Sequence, residues 1–226
     1  MTTSETETRY AIETADSSDI PRLAELLVEL YRGECPELIP RRSSILTQVI
    51  EDALGSDIDA LRSTFVLRDR DAGDRIVASV VASTSTRPRT SPINVRHILR
   101  TLRTARTDAA RILYTQHRLA VLLCASLPPR TTQLHSLIID QNYRGHRLGT
   151  ALVRSVEHHA LDASDDTVHL YILDGNDVEN FYSRLGYTRI AISPKKLAYP
   201  GIAMTKKIHK STYPPIAGTT RKDANQ

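Results

Sequence analysis

Leu134-His135-Ser136-Leu137-Ile138-Ile139 is an apolar, β-forming run, Asp140-Gln141-Asn142-Tyr143 turns the chain, and Arg144-Gly145-His146-Arg147-Leu148-Gly149-Thr150 opens a helix. The helix is read from Leu148, Ala151, Leu152, Ser155, Val156 and Ala160, whose helical spacing puts them on one face. A strand thus hands over to a helix N-terminus through a glycine-bearing loop. The first N–H groups of a helix lack intrahelical partners, and the macrodipole adds about half a positive charge there. A phosphate set against that terminus is stabilised by main chain alone. The stretch reads as a place to hold a diphosphate beside a reactive group.

Further along, Thr167-Val168-His169-Leu170-Tyr171-Ile172 is another β-run, predicted parallel to the first with the helix between them as a right-handed crossover. A helix from Asn176 to Leu185 carries Tyr182 within Phe181-Tyr182-Ser183-Arg184-Leu185-Gly186-Tyr187, and strands are predicted over Tyr187 to Ile192 and Gly201 to Ile208. Upstream, Tyr10 to Thr14 predicts a first strand. Asp19-Ile20-Pro21 then signals a helix start, since proline is tolerated in a first turn. Leu23, Leu26, Leu27, Leu30 and Tyr31 give that helix an apolar face, and Pro36 and Pro40 separate it from a second helix, Ser43 to Leu54. Thr64 to Leu67 and Ile76 to Ala82 predict a hairpin turning at Asp71-Ala72-Gly73-Asp74.

The pattern resembles the GNAT acetyltransferase superfamily. Its acyl-CoA signature, R/Q-x-x-G-x-G/A, is met by Arg144 to Thr150, and its tyrosine-bearing helix closed by Gly-Phe or Gly-Tyr is met by Tyr182 and Gly186-Tyr187. Leu134-His135-Ser136-Leu137, Glu157-His158-His159 and Phe181-Tyr182 look most like the arylalkylamine and polyamine N-acetyltransferases. There are two departures. Arg147 stands where the superfamily usually has glycine, and Gly175 stands where an asparagine often precedes the tyrosine by seven residues, with Asn176 one place off register. A residue already in the first helical turn need not be glycine, and an arginine there adds charge near the diphosphate.

The resemblance implies an α/β fold (α+β in some schemes). Its central sheet is mixed and mostly antiparallel, with a parallel pair of fourth and fifth strands splayed into a wedge and helices on the flanks. It implies one acetyltransferase domain over 9–209, while the tails 1–8 and 212–226, the latter rich in Pro, Thr, Lys and Asp, are expected to be disordered from their composition. It further implies acetyl-CoA as co-substrate and direct acetyl transfer to a primary amine. The acceptor is expected to be a small-molecule amine or, alternatively, a peptide amino group. Backbone N–H groups at Leu137, Ile138 and Ile139 would meet the pantetheine chain and thioester oxygen, and Arg144 to Thr150 the phosphates. Tyr182 matches the family's tyrosine, and a phenol of pKa near 10 suits protonation of a leaving thiolate. His135 matches a histidine of the amine acetyltransferases and is expected to take the amine's proton, directly or through water. Their further histidine, two residues earlier, is here Gln133. Alternation along the strand sets His135 and Ser136 on opposite faces.

Residues 87–130 are an insertion between the third and fourth strands, bounded by Pro88, Pro92, Pro128 and Pro129 and expected to be mostly helical through Ile98, Leu102, Ala105, Ala109, Ile112 and Leu119. Arg87, Arg89, Arg96, Arg100, Arg103, Arg106, Arg111, Arg118 and Arg130 are balanced within it only by Asp108. The segment reads as a solvated lid or homodimer contact, with a CoA phosphate clamp and an acidic or nucleic-acid surface as the other readings. Acting through that helix, a catalytically idle acyl-CoA-binding or RNA-associated module is the alternative to an enzyme.

With 226 residues, 40% of them hydrophobic, the chain can bury one good core. No run of eighteen apolar residues occurs and Met1 to Thr8 is polar, so neither a span nor a secretory signal is expected, and the plain reading is a cytoplasmic protein without a membrane partner. Cys35 and Cys124 are too few and too distant for a disulfide framework, and no His/Cys set has metal spacing. His158, His159 and His169 read as structural, and Asp140 as a turn cap. A net charge of +4 suits a polyanionic co-substrate without demanding one.

Overall fold

The computed structural model describes residues 9–40, 43–84, 95–123, 128–173, 178–190 and 201–209. Strand β1 (Tyr10–Thr14) leads through a turn in which Asp16 and Asp19 form a reciprocal capping box into helix α1 (Ile20–Glu34), with Pro21 in its first turn. That box satisfies N–H groups a helix start leaves open. After Pro36 come α2 (Ser43–Gly55) and the short α3 (Ile58–Arg62), whose N-cap Asp57 accepts from the Ala60 amide. Strands β2 (Thr64–Asp69) and β3 (Arg75–Ser83) form the expected hairpin. The insertion then gives two helices, α4 (Val95–Ala105) and α5 (Ala109–Leu123). β4 (Thr131–Ile139), α6 (Leu148–Asp162) and β5 (Thr167–Leu173) make the crossover unit, followed by α7 (Glu179–Arg184), β6 (Thr188–Ile190) and β7 (Gly201–Lys207).

The seven strands form one sheet ordered β1-β2-β3-β4-β5-β7-β6, antiparallel except for the parallel β4–β5 pair. This is the mixed sheet with a parallel fourth and fifth strand that the sequence predicts. One face packs under α6, where Leu148, Leu152, Val156 and Ala160 meet Val77, Leu134, Leu170 and Met204. The other lies under α1, where Leu23, Leu26 and Leu30 meet Val66, Ile76 and Ile138. The insertion joins the α1–α2 layer, since Ala105, Ala109, Ile112 and Leu119 are buried with Val28, Leu46 and Val49.

Four expectations are revised. Leu102 is 48% exposed, because α4 turns His97, Thr101 and Ala105 inward instead. The insertion's charges also find acids elsewhere: Arg100 lies 3.7 Å from Asp52 and Arg130 3.2 Å from Asp166. His135 and Ser136 share a face, and Arg147 is not yet in the helix, as shown below. Cys124, Gly175, Asn176, the tails 1–8 and 212–226 and the end of the strand beyond Ile190 lie outside the described residues. No described helix is long and apolar enough to cross a membrane.

Candidate active site

β4 and β5 pair only over Thr131 to Leu134 against Thr167 to Leu170. Beyond that point β5 continues against β7, from Tyr171 to Leu173, and β4 against β3. The two parallel strands have parted, and the β5-side edge of His135 to Ile139 is left out of their ladder. At the same place β4 bulges: Val81 pairs with His135 and Ser79 with Ile138, so Ser136 and Leu137 together oppose Val80. Ser136 takes φ +53° to do this. A bulge shifts the side-chain phase. Leu134, Leu137 and Ile139 lie with the α6-side core and Ile138 with the α1-side core, and His135 and Ser136 fall side by side.

His135 is buried, with Nε2 3.3 Å from Ser83 Oγ and Nδ1 3.1 Å from Ser136 Oγ. Each ring nitrogen therefore meets a hydroxyl, one as donor and one as acceptor in the neutral ring. Ser83 and Ser136 both line a cavity of about 230 Å³ between α1, α2–α3 and the sheet, whose walls include Leu23, Leu27, Tyr31 and Leu54 and whose charged residues are Asp57 and Asp59. Nothing in the sequence marked Ser83, Tyr31 or Asp57 for this place. The pairings Thr64 with Val81 and Val81 with His135 bring them there.

The loop after β4 is held by a buried carboxylate. Asp140 caps the turn at Asn142, as predicted, and also meets Arg22 of α1 at 2.6 Å and Arg75 of β3 at 3.4 Å. Tyr143 leans on Asp69, whose carboxyl is held low by its hydrogen bonds from Arg9. Beyond this anchor Arg144, Gly145, His146 and Arg147 are exposed, with Gly145 at φ +86° and Arg147 at φ +60° as the N-cap of α6. The left-handed value explains why a glycine suits this position: an L-residue strains there. Arg147 makes no side-chain cap, so the amides of Leu148 and Gly149 point out of the helix start. Thr150 is half-buried on the first turn. A Cβ on Gly149 would sit 3.2 Å from Ile139 Cδ1 and 3.3 Å from Phe181 Cζ, so a glycine keeps α6 close to both.

Tyr182 is 6% exposed and packs edge-to-face on Phe181 and Tyr187, within the core on the α6 side. Burial pushes its phenol well above the ordinary range, with the Glu34 carboxylate adding to the effect. It does not line the α1-side cavity. Glu157, His159 and Cys35, also singled out in the sequence, do not line this cavity either. Glu157 is buried and paired with Lys206 at 2.7 Å, His159 meets the edge of Phe65, and the Cys35 thiol is pushed up to about 12 by burial. Among the described residues, no group of three His, Cys, Asp or Glu side chains is placed to hold a metal.

The fold is thus a mixed seven-stranded sheet split between its parallel strands, with a bulge and a left-handed loop leading into a helix at the split. The sequence model of the acetyltransferase (GNAT) family matches residues 25–187, and the chain belongs to that family. A search of curated proteins finds no match. Among solved structures, the chain is similar to SsHAT (16% identity, TM-score 0.59, covering 88% of this chain and 98% of that one). It is also similar to an agmatine N-acetyltransferase mutant (18%, 0.53, 88% and 100%) and to the PaiA N-acetyltransferase of Thermoplasma acidophilum in complex with coenzyme A (12%, 0.55, 88% and 98%). At these identities the likeness speaks for the fold.

Proposed function

We propose that this protein is an acetyl-CoA-dependent N-acetyltransferase passing the acetyl group directly to a small primary amine, with residues 9–209 acting as one domain. The observation that carries the reading is the parting of β4 from β5 after Leu134, immediately upstream of the left-handed loop at Gly145 and Arg147. A free strand edge and a helix start with open amides are what an amide-bearing chain ending in a diphosphate requires. Acetyl-CoA bound there would supply an acyl group on a thiol that leaves once protonated.

The chain's own residues have separable tasks. Of the main-chain N–H groups at Leu137, Ile138 and Ile139, the outer two would hold the pantetheine arm and polarise the carbonyl, since Ile138 shares with Asp140 the edge that bonds β3. The amides from Gly145 to Gly149, helped by the charges of Arg144 and Arg147, would hold the phosphates, with His146 at the loop's crest; the Thr150 amide already donates to the Arg147 carbonyl at 3.1 Å, so Thr150 would contribute through its hydroxyl. Tyr182 would give the proton to the leaving thiolate. Burial keeps its phenol protonated at ordinary pH and also makes it a weaker acid than a free phenol. His135 would take the amine's proton through Ser83 or Ser136, the hydroxyls that stand between it and the cavity. Aliphatic walls with Asp57 and Asp59 favour a small cationic amine over a peptide, and the likeness in motif to arylalkylamine and polyamine acetyltransferases agrees.

The test is a screen of amines and peptides with acetyl-CoA that follows free thiol. Release with small primary amines is expected. If folded protein neither releases thiol with any acceptor nor binds coenzyme A in a calorimeter, the proposal fails.

A further inference from the structure

Helix α4 has the sequence Val95-Arg96-His97-Ile98-Leu99-Arg100-Thr101-Leu102-Arg103-Thr104-Ala105, and its burial is inverted. A surface helix normally buries its apolar stripe. Here His97, Thr101 and Ala105 face inward at 2%, 1% and 2% exposure, while Val95, Leu99 and Leu102 stand out at 72%, 62% and 48%. The rotation is fixed by polar contacts. His97 Nε2 lies 2.9 Å from Gln116 Oε1 of α5 and 3.4 Å from Thr101 Oγ1. Val95, Leu99 and Leu102 follow i, i+4, i+7 and form one stripe. Of the six exposed large hydrophobic residues among the described ones, four lie on α4 and α5, Tyr114 being the fourth, so apolar exposure is concentrated on the insertion.

The stripe is bordered by positive charge, of which Arg100 lies 3.7 Å from Asp52 of α2. Arg96, Arg103 and Arg100 follow it around the helix, and Arg106 and Arg111 are exposed beyond. Arg118 stacks 5.9 Å from the Tyr114 ring. The lone acid of these helices, Asp108, is taken by Arg111 at 2.8 Å. The occupant must therefore be both apolar and anionic. A second copy of the chain would bring two arginine rows into one interface. A nucleic acid would use the arginines and leave the leucines wet.

We propose that α4 rests on anionic phospholipid surfaces, Val95, Leu99 and Leu102 entering the acyl boundary and the arginines meeting headgroup phosphates. A helix with leucines on one face and arginines beside them lies in the plane of such an interface. Long arginine stems reach from apolar depth to the phosphates, and a tyrosine tip suits the same level. This departs from the sequence reading of the same segment as a lid, and it is a surface contact, not a crossing.

The test is flotation of the full chain with vesicles of phosphatidylcholine alone and of equal parts phosphatidylcholine and phosphatidylglycerol. Binding to the anionic vesicles is expected to exceed binding to the neutral ones by about tenfold or more and to fall as salt is raised to about 0.5 M. Leu99→Asp/Leu102→Asp and Arg96→Glu/Arg103→Glu should each cut it by about tenfold at unchanged melting temperature. Failure to float with anionic vesicles overturns the proposal. So does undiminished binding of the leucine variant, which would reduce the contact to charge alone.

Discussion

Two halves of the site are built in different ways. The proposed donor side is one continuous stretch, Leu134 to Thr150, in which a bulge, two left-handed residues and a helix start follow one another along the backbone. The proposed acceptor side is assembled from four separate pieces: Leu23 and Tyr31 on α1, Leu54 at the end of α2 with Asp57 capping α3, Ser83 on β3 and Ser136 on β4. Main-chain amides suffice for a ligand that always presents the same diphosphate and amide chain. Selecting one amine among many takes side chains, and side chains converge only through tertiary pairing.

The sharpest way to break this division is Tyr182→Phe. If the phenol protonates the leaving thiolate, kcat should fall by about 100-fold or more, while calorimetric affinity for coenzyme A stays as it was. Turnover left intact would return Tyr182 to the core it packs in. Next comes the relay on the acceptor side. His135→Ala should cost about 100-fold in kcat. Ser83→Ala and Ser136→Ala should each cost roughly tenfold, because the other hydroxyl keeps one route open. Equal losses in all three would show that the serines only hold the ring.

Asp140→Asn probes whether the halves are independent. Its carboxylate joins the donor loop to Arg22 of α1 and Arg75 of β3, so it spans the comparison. Leaving two arginines without a buried partner should lower stability by about 2 kcal/mol, less than for a fully enclosed pair because Arg22 and Arg75 reach solvent. Denaturant unfolding measures that loss. An acetyl-CoA KM that rises together with the amine KM would show the halves coupled through this carboxylate. A rise in the first alone would show that only the loop depends on it.

The strand, turn and helix of the proposed donor side were legible in sequence because each is local. Apolar alternation, turn residues and helical spacing are all contained within seventeen positions, 134–150. What escaped there were two backbone angles, since Arg147 was read into the first helical turn and instead stands before it at φ +60°. Ser136 gives no sign that it will adopt φ +53°, and strict alternation therefore put it opposite His135. On the acceptor side the strands themselves were legible, but not their register, and without Thr64 against Val81 against His135 no reading could place Ser83 beside the histidine or Asp57 at the cavity. The insertion misled for a related reason. Its apolar spacing was correctly read as helical, yet a hydrogen bond between His97 and Gln116, nineteen residues apart, decides which face turns inward.

The smallest expected effect concerns Arg147, where donor geometry and chemistry pull in opposite directions. At φ +60° an L-residue carries about 1–2 kcal/mol of strain, part of which glycine would return through its larger unfolded-state entropy. Arg147→Gly should therefore stabilise the fold by about 1 kcal/mol, a rise of roughly 2–4 °C in Tm for a chain of this size. Its guanidinium is exposed beside the proposed phosphate loop, so the same variant should raise the acetyl-CoA KM by a few-fold. Arg147→Ala separates the two, since alanine keeps the strain and loses the charge: Tm should stay while KM rises. If both variants leave KM unchanged, the arginine is only a tolerated replacement for glycine, and the donor side works by main chain alone.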